Sequence, residues 1–370
     1  MSAFWHQPAA ERTLRQASAS ERLSRAFLFA GPDGVGKWVA ALWVAQALLC
    51  REKSDGMPCG QCRDCLRALS LTHPDLHLLF PIPGKPREED DDEDNPDRPK
   101  SNAAAEYIKE FMEAKRSDPF SIIRPNKKPT IKLNDIRELI TELNRTSVEG
   151  GPKVVIIYSA DQVATVGCQS IMLKSIEEPP TGAHFILTSA APERLLPTIH
   201  SRCQTIRFAP VDPEVIALRL VDEMGIDVEQ ARVIGSLCGG GWGNAKRLAG
   251  EEHQSWRNLM TGFWDGAFRV RPHEMLAQIE PIFRPNRKSV GFDALLQAFD
   301  VWGYCLWRDC LRLSGTSGPS TVGAPIPDLE TGWACWRILQ NGRSTLYINV
   351  GERHAIAGTF LAMRRRLRVA

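Results

Sequence analysis

The chain has 370 residues, enough for two or three domains, with 43% hydrophobic and 24% charged side chains, an ordinary globular mixture that can bury a core without disulfides. Forty-six Lys and Arg against forty-four Asp and Glu leave a formal charge of +2, so bulk charge does not signal a nucleic-acid binder. No run of about 18 apolar residues argues for a transmembrane helix, and the N-terminal stretch MSAFWHQPAAERTLRQ is polar where a signal peptide needs an apolar segment, so a cytoplasmic protein is expected, away from any membrane, whose ten cysteines are thiols or metal ligands.

In chain order, residues 9–24 carry a helical pattern, and the apolar run Ala26–Ala30 reads as a buried strand ending at the turn Gly31-Pro32. Residues 38–50 are apolar almost throughout and long enough for a buried helix. Residues 76–80 read as a strand. Residues 84–100 then concentrate Glu88, Glu89, Asp90, Asp91, Asp92, Glu93, Asp94 and Asp97 among prolines, a composition expected to stay disordered, with an acidic interaction arm as the alternative. A helix is expected over Ile131–Leu143, a strand over Val154–Ile157, a helix over Cys168–Ile176 stopped at Pro179-Pro180, and a strand over Phe185–Leu187. Helices dominate beyond Pro210, and the Gly/Ser/Thr/Pro stretch 314–326 is a loop. Strands alternating with helices predict an α/β domain with a mostly parallel sheet, followed by a small and then a larger helical unit.

Between the first strand and its helix lies Gly31-Pro32-Asp33-Gly34-Val35-Gly36-Lys37-Trp38. Strand, glycine-rich loop and helix in that order are the context for cradling a phosphate on backbone N–H groups, with Lys37 reaching the terminal phosphates. The pattern G-x-x-x-x-G-K-[ST] fails only at its last position, where Trp38 replaces the hydroxyl that ligates Mg²⁺. A ligand-free glycine turn is the alternative. The acidic pair that should end the partner strand is also missing: Tyr158-Ser159 follows Lys153–Ile157, and Asp161 lies too far along. ATP hydrolysis is therefore not expected, while phosphate binding through Gly31, Gly34, Gly36 and Lys37 stays open. Cys50, Cys59, Cys62 and Cys65, spaced C-x8-C-x2-C-x2-C, fit a closed structural Zn²⁺ site; an iron–sulfur cluster or free thiols are the alternatives.

Together with Thr198-Ile199-His200-Ser201-Arg202-Cys203, these motifs resemble the delta-prime subunits of bacterial DNA polymerase III clamp loaders, members of the AAA+ superfamily. His73-Pro74-Asp75-Leu76-His77, Ile136-Arg137 and Met172-Leu173-Lys174-Ser175-Ile176-Glu177-Glu178-Pro179-Pro180 are similar to further stretches of that family. The resemblance covers residues 1–210 and extends through 211–250; beyond that only Asn349–Leu367 looks like the last collar helix. It implies an α/β AAA+ P-loop domain over 1–210, carrying the zinc module at 50–65 and a disordered acidic insertion at about 84–118. A helical lid over 211–250 and an all-helical oligomerisation collar over 251–370 would follow. The insertion and the loop at 314–330 depart from the family pattern.

The resemblance also implies a role in DNA replication. The chain would be a non-catalytic member of a polymerase holoenzyme, in a hetero-oligomeric ring with tau/gamma-type ATPase subunits and the delta subunit, acting through the complex on the sliding clamp and primer-template DNA. Arg202 would be an arginine finger offered to a neighbour's ATP site, where a guanidinium stabilises charge on the γ-phosphoryl group; on residues alone it is a surface arginine after a turn. Ser189 and Lys246 (or Arg247) are sensor candidates, with an exposed strand end and a solvated helix face as the plain alternatives. Two other functions compete: an active tau/gamma-type ATPase, and a zinc-stabilised nucleic-acid-binding protein.

Overall fold

The computed structural model describes residues 4–83, 102–123, 129–163, 165–279, 292–313, 325–346 and 352–368. The described residues fall into two compact units, one within 4–247 and one within 248–368.

In the first unit, β1 (Ala26–Ala30), β2 (Leu76–Leu79), β5 (Lys153–Ile157), β6 (Ala183–Ser189) and β7 (Gln204–Arg207) form one parallel sheet in the order β2-β5-β6-β1-β7. The register pairs Leu28 with Leu187 and Thr205, and Val155 with His77 and Phe185. β1 and β5 are buried along their whole length, as strands covered on both faces must be. Alternation sends Phe27, Phe29, Val154, Ile156 and Ile186 to one face, against α2 (Lys37–Leu49). Leu28, Val155, Ile157, Phe185 and Leu187 face the other way, against α5 (Leu133–Leu143) and α6 (Val166–Glu177). Each of these large side chains contributes about 1.5–3 kcal/mol by leaving water. This is a parallel α/β P-loop arrangement, with the loop after β1 at the carboxyl edge of the sheet.

Local sequence explains the boundaries. Pro8 opens α1 (Pro8–Ala19), which ends five residues short of the expected 24; Ser20 closes it, and Glu21 takes a left-handed φ of 54°. The Thr165 hydroxyl accepts from Cys168 N at the start of α6, and Pro179-Pro180 bars its continuation. After β7, Asp212 caps α8 (Pro213–Met224), Gly225 ends it at φ 64°, and Asp227 caps α9 (Val228–Leu237); α10 (Trp242–Ala249) follows.

The expectation of disorder across 84–118 needs correction. Residues 84–101 lie outside the described residues, but Asn102–Ser117 form helix α4. Its apolar positions Ala104, Tyr107, Ile108, Phe111 and Met112 recur at helical spacing, and Phe111 is stacked flat on Phe80, ring centroids 4.0 Å apart. Two short strands, β3 (Ile82–Pro83) and β4 (Pro129–Thr130), pair antiparallel beyond it.

The second unit is helical: α11 (Glu251–Ala267), α12 (Pro272–Ile279), α13 (Phe292–Leu313), α14 (Leu329–Thr345) and α15 (Glu352–Leu367). Trp264, Phe299, Trp302 and Phe360 fill its core. The two indole N–H groups are satisfied, Trp264 donating to Asp309 at 2.8 Å and Trp302 to the Met260 carbonyl at 3.1 Å. Most of the expected loop at 314–326 lies outside the described residues.

Candidate functional site

The phosphate loop forms where expected. Gly31, Gly34 and Gly36 all take positive φ, and Gly36 stands at the N-terminus of α2 at φ 105°. Lys37 is buried, and its ammonium turns back onto its own loop, donating to the Gly31 carbonyl and, at 2.7 Å, to that of Pro32, with Asp33 at 3.8 Å. Burial lowers its pKa, against the pull of Asp33 and Asp161.

Opposite the loop, the positions of the missing metal ligands are aromatic. Trp38 and Tyr158 meet edge to face, centroids 5.6 Å apart, and both contact Phe111 of α4. Lys115, from the last turn of α4, points among these rings: its Nζ is 4.8 Å from the Tyr158 centroid, 5.4 Å from Trp38 and 5.8 Å from Phe111. It donates to the Ser121 carbonyl at 2.5 Å. Desolvation pushes its pKa down to about 7, with Asp33 and Asp118 opposing. The segment after α4 then crosses the loop, and Phe120 lies over Gly36. The cavity bounded by Asp33, Gly36, Trp38, Lys115, Phe120 and Thr188 keeps about 20 Å³, space for a water molecule.

The sensor candidates separate. Strand alternation directs Thr188, not Ser189, to this cavity: Thr188 Oγ1 accepts from Ser159 N at 3.0 Å, while buried Ser189 accepts from Ala191 N at 3.2 Å. Lys246 on α10 pairs with Asp118 and so reaches the loop's surroundings. Thr188, Lys115 and Asp118 are the residues the sequence reading missed. Thr188 was legible from period-2 alternation, and α4 from its apolar spacing. Arg202 ends α7 (Pro197–Arg202) and stays exposed, paired with Glu177 of α6.

The four cysteines converge at the other end of α2. Cys50 caps that helix, and Cys62 starts α3 (Arg63–Leu69), its sulfur accepting from Cys65 N. Sγ–Sγ distances are 3.6 Å for Cys50–Cys59, 3.8 Å for Cys50–Cys62 and 4.0 Å for Cys59–Cys65, and all four sulfurs lie within 4.8 Å of one another. A tetrahedron of sulfurs about 2.3 Å from a central Zn²⁺ has edges of about 3.8 Å, so the set fits a metal ion. Backbone N–H groups of Gln61 and Cys62 bring the Cys59 thiol down to about 7, whereas burial raises Cys50 and Cys65. Around the cluster, Glu149 accepts from Arg63 at 2.7 Å and Arg67 at 2.8 Å, and buried Asp75 accepts from Val148 N at 2.8 Å and Glu149 N at 3.0 Å. Among the described residues no helix is long and apolar enough to cross a membrane.

Residues 6–212 match the model of the family described as DNA polymerase III, delta subunit. The chain is 32% identical over 231 residues to DNA polymerase III subunit delta' of Bacillus subtilis, covering 62% of this chain and 56% of that one. The delta' subunit of Pseudomonas aeruginosa is 30% identical over 233 residues, with the same two shares. Subunit tau of Bacillus subtilis is 26% identical over 246 residues, 64% of this chain and 35% of that one. The chain thus spans about half the length of the curated delta' relatives it matches. The matched span, more than half of the chain, holds the phosphate loop, the four-cysteine cluster and the parallel sheet, and the chain belongs to the family of DNA polymerase III delta-prime subunits.

Proposed function

We propose that the chain serves a clamp loader as a non-catalytic delta-prime subunit. It organises a ring with tau/gamma-type ATPase subunits and a delta subunit, helps load the sliding clamp onto primed DNA, and hydrolyses no ATP itself. The observation that carries this reading is the state of the phosphate site. Hydrolysis needs a hydroxyl and a carboxylate on Mg²⁺. Trp38 and Tyr158 can be neither, and both pack into an aromatic cluster.

Arg202 is the group the chain offers in trans. Its exposure, and a surface ion pair of small cost to break, support that role. The cysteine set holds structural Zn²⁺, which leaves no open coordination position and supplies folding energy to the module rather than chemistry. The second unit mediates oligomerisation, a reading supported by exposed Trp307, Leu313, Leu329 and Trp333. The test compares ATP turnover by the chain alone with turnover after adding the tau/gamma and delta subunits, clamp and primed DNA of the same organism. Silence alone and stimulation in the mixture are expected.

A further inference from the structure

The segment that follows α4 touches the phosphate loop and helix α10 together. Asp118 pairs with Lys246 of α10 and accepts from Phe120 N at 3.0 Å. The Phe120 ring lies over Gly36, and the Phe120 carbonyl sits so close to Gly243 that a Cβ there would come within 2.1 Å of it. Ile122 Cδ1 would stand 3.0 Å from a Cβ on Gly34. Loop and α10 also bond directly: Gly243 N donates to the Gly34 carbonyl at 3.1 Å, and Asn244 Nδ2 to that of Asp33 at 3.1 Å.

The anchor of this segment is Lys115. Its cage is Trp38, Tyr158 and Phe111. The two residues that stand in place of metal ligands are therefore the two that receive the lysine.

We propose that residues 111–122 are a built-in substitute for nucleotide, which fills the phosphate site and locks helix α10 to the phosphate loop whether or not ATP is present. Lys115 and Phe120 take up the space of metal and phosphates, and Asp118 offers Lys246 the anionic partner that a phosphate would otherwise provide. A nucleoside triphosphate cannot enter the remaining 20 Å³. The inference concerns the isolated chain, so it stands or falls separately from Arg202 and the ring.

The test uses the full chain with its metal. Fluorescent ATP, with and without Mg²⁺, should show no saturable binding up to about 1 mM, and amide hydrogen exchange of 241–248 should be unchanged by it. Asp118→Ala combined with Phe120→Ala should speed exchange at 241–248 by about tenfold, leaving residues 50–69 as they were. If that variant loses protection throughout, Asp118→Asn keeps the shape and should still raise exchange by about threefold at 241–248 alone. Micromolar ATP binding by the unaltered chain would overturn the proposal, as would unchanged exchange at 241–248 in the folded variant.

Discussion

Arg202 Nε donates to Glu177 Oε1 at 3.1 Å, and both side chains are exposed. An exposed pair is worth about 0–1 kcal/mol, so a partner's phosphate can displace the carboxylate at little cost. Arg202→Ala should leave folding and metal content intact. In the assembled complex it should cut turnover at the one site it serves by about 10³-fold or more. Lys at 202 should not restore it, because an ammonium lacks the planar fork. Steady-state hydrolysis by the reconstituted complex decides this, and undiminished turnover would remove the finger assignment.

Lys115 makes a prediction about pH. Its folded value of about 7 lies below the ordinary 10.5, so between those values the folded chain holds fewer protons than the unfolded one. The cost of burying it is fully present below pH 7 and is relieved as pH rises. Asp33 and Asp118 counter this shift; Lys37 and Lys246 add to it. The stability of the wild-type chain relative to Lys115→Met should therefore climb between pH 7 and 9, by up to about 1.4 kcal/mol per pH unit. Urea midpoints at three pH values test it; parallel curves for the two proteins would contradict it.

The cysteine cluster predicts about one zinc per chain in protein prepared without chelator. Cys62→Ala removes one sulfur and also the acceptor for Cys65 N at the start of α3. Metal content should fall below about one tenth, and proteolysis should begin between residues 50 and 69. Metal analysis with limited proteolysis reads both.

Arg219 of α8 lies between two indoles, 4.2 Å from the Trp5 ring centroid and 4.1 Å from that of Trp242. It thereby ties the N-terminal segment to α8 and α10. Arg219→Ala should cost about 1–2 kcal/mol, and Trp5→Ala a comparable amount, with the double variant less than additive. Urea denaturation of the four proteins gives the coupling directly.

The buried parallel strands were legible because β1 and β5 are continuous apolar runs, and the phosphate loop because its glycines and lysine sit at fixed spacing between a strand and a helix. β7 was not: Gln204, Thr205 and Arg207 are exposed on this edge strand and only Ile206 is buried, so no apolar run marks it. The acidic run at 88–97 drew attention away from α4, whose five apolar positions carry a clear helical period. The four-cysteine set was legible from spacing alone, since short-range turns bring the sulfurs together. Lys115 and its cage were not, because tertiary packing joins residues 38, 111, 115 and 158. Ser189 is buried and lies outside the phosphate-loop cavity, while its neighbour Thr188 lines it, because adjacent residues of a strand face opposite sides.

The measurement that bears most directly on a non-catalytic subunit is ATP hydrolysis by the purified chain, alone and then with its organism's tau/gamma and delta subunits, clamp and primed DNA. The account predicts no turnover by the chain alone, and turnover in the mixture that falls when Arg202→Ala replaces the wild-type chain. Turnover by the isolated chain that disappears in Lys37→Ala would contradict it, and would make the protein an ATPase despite Trp38 and Tyr158.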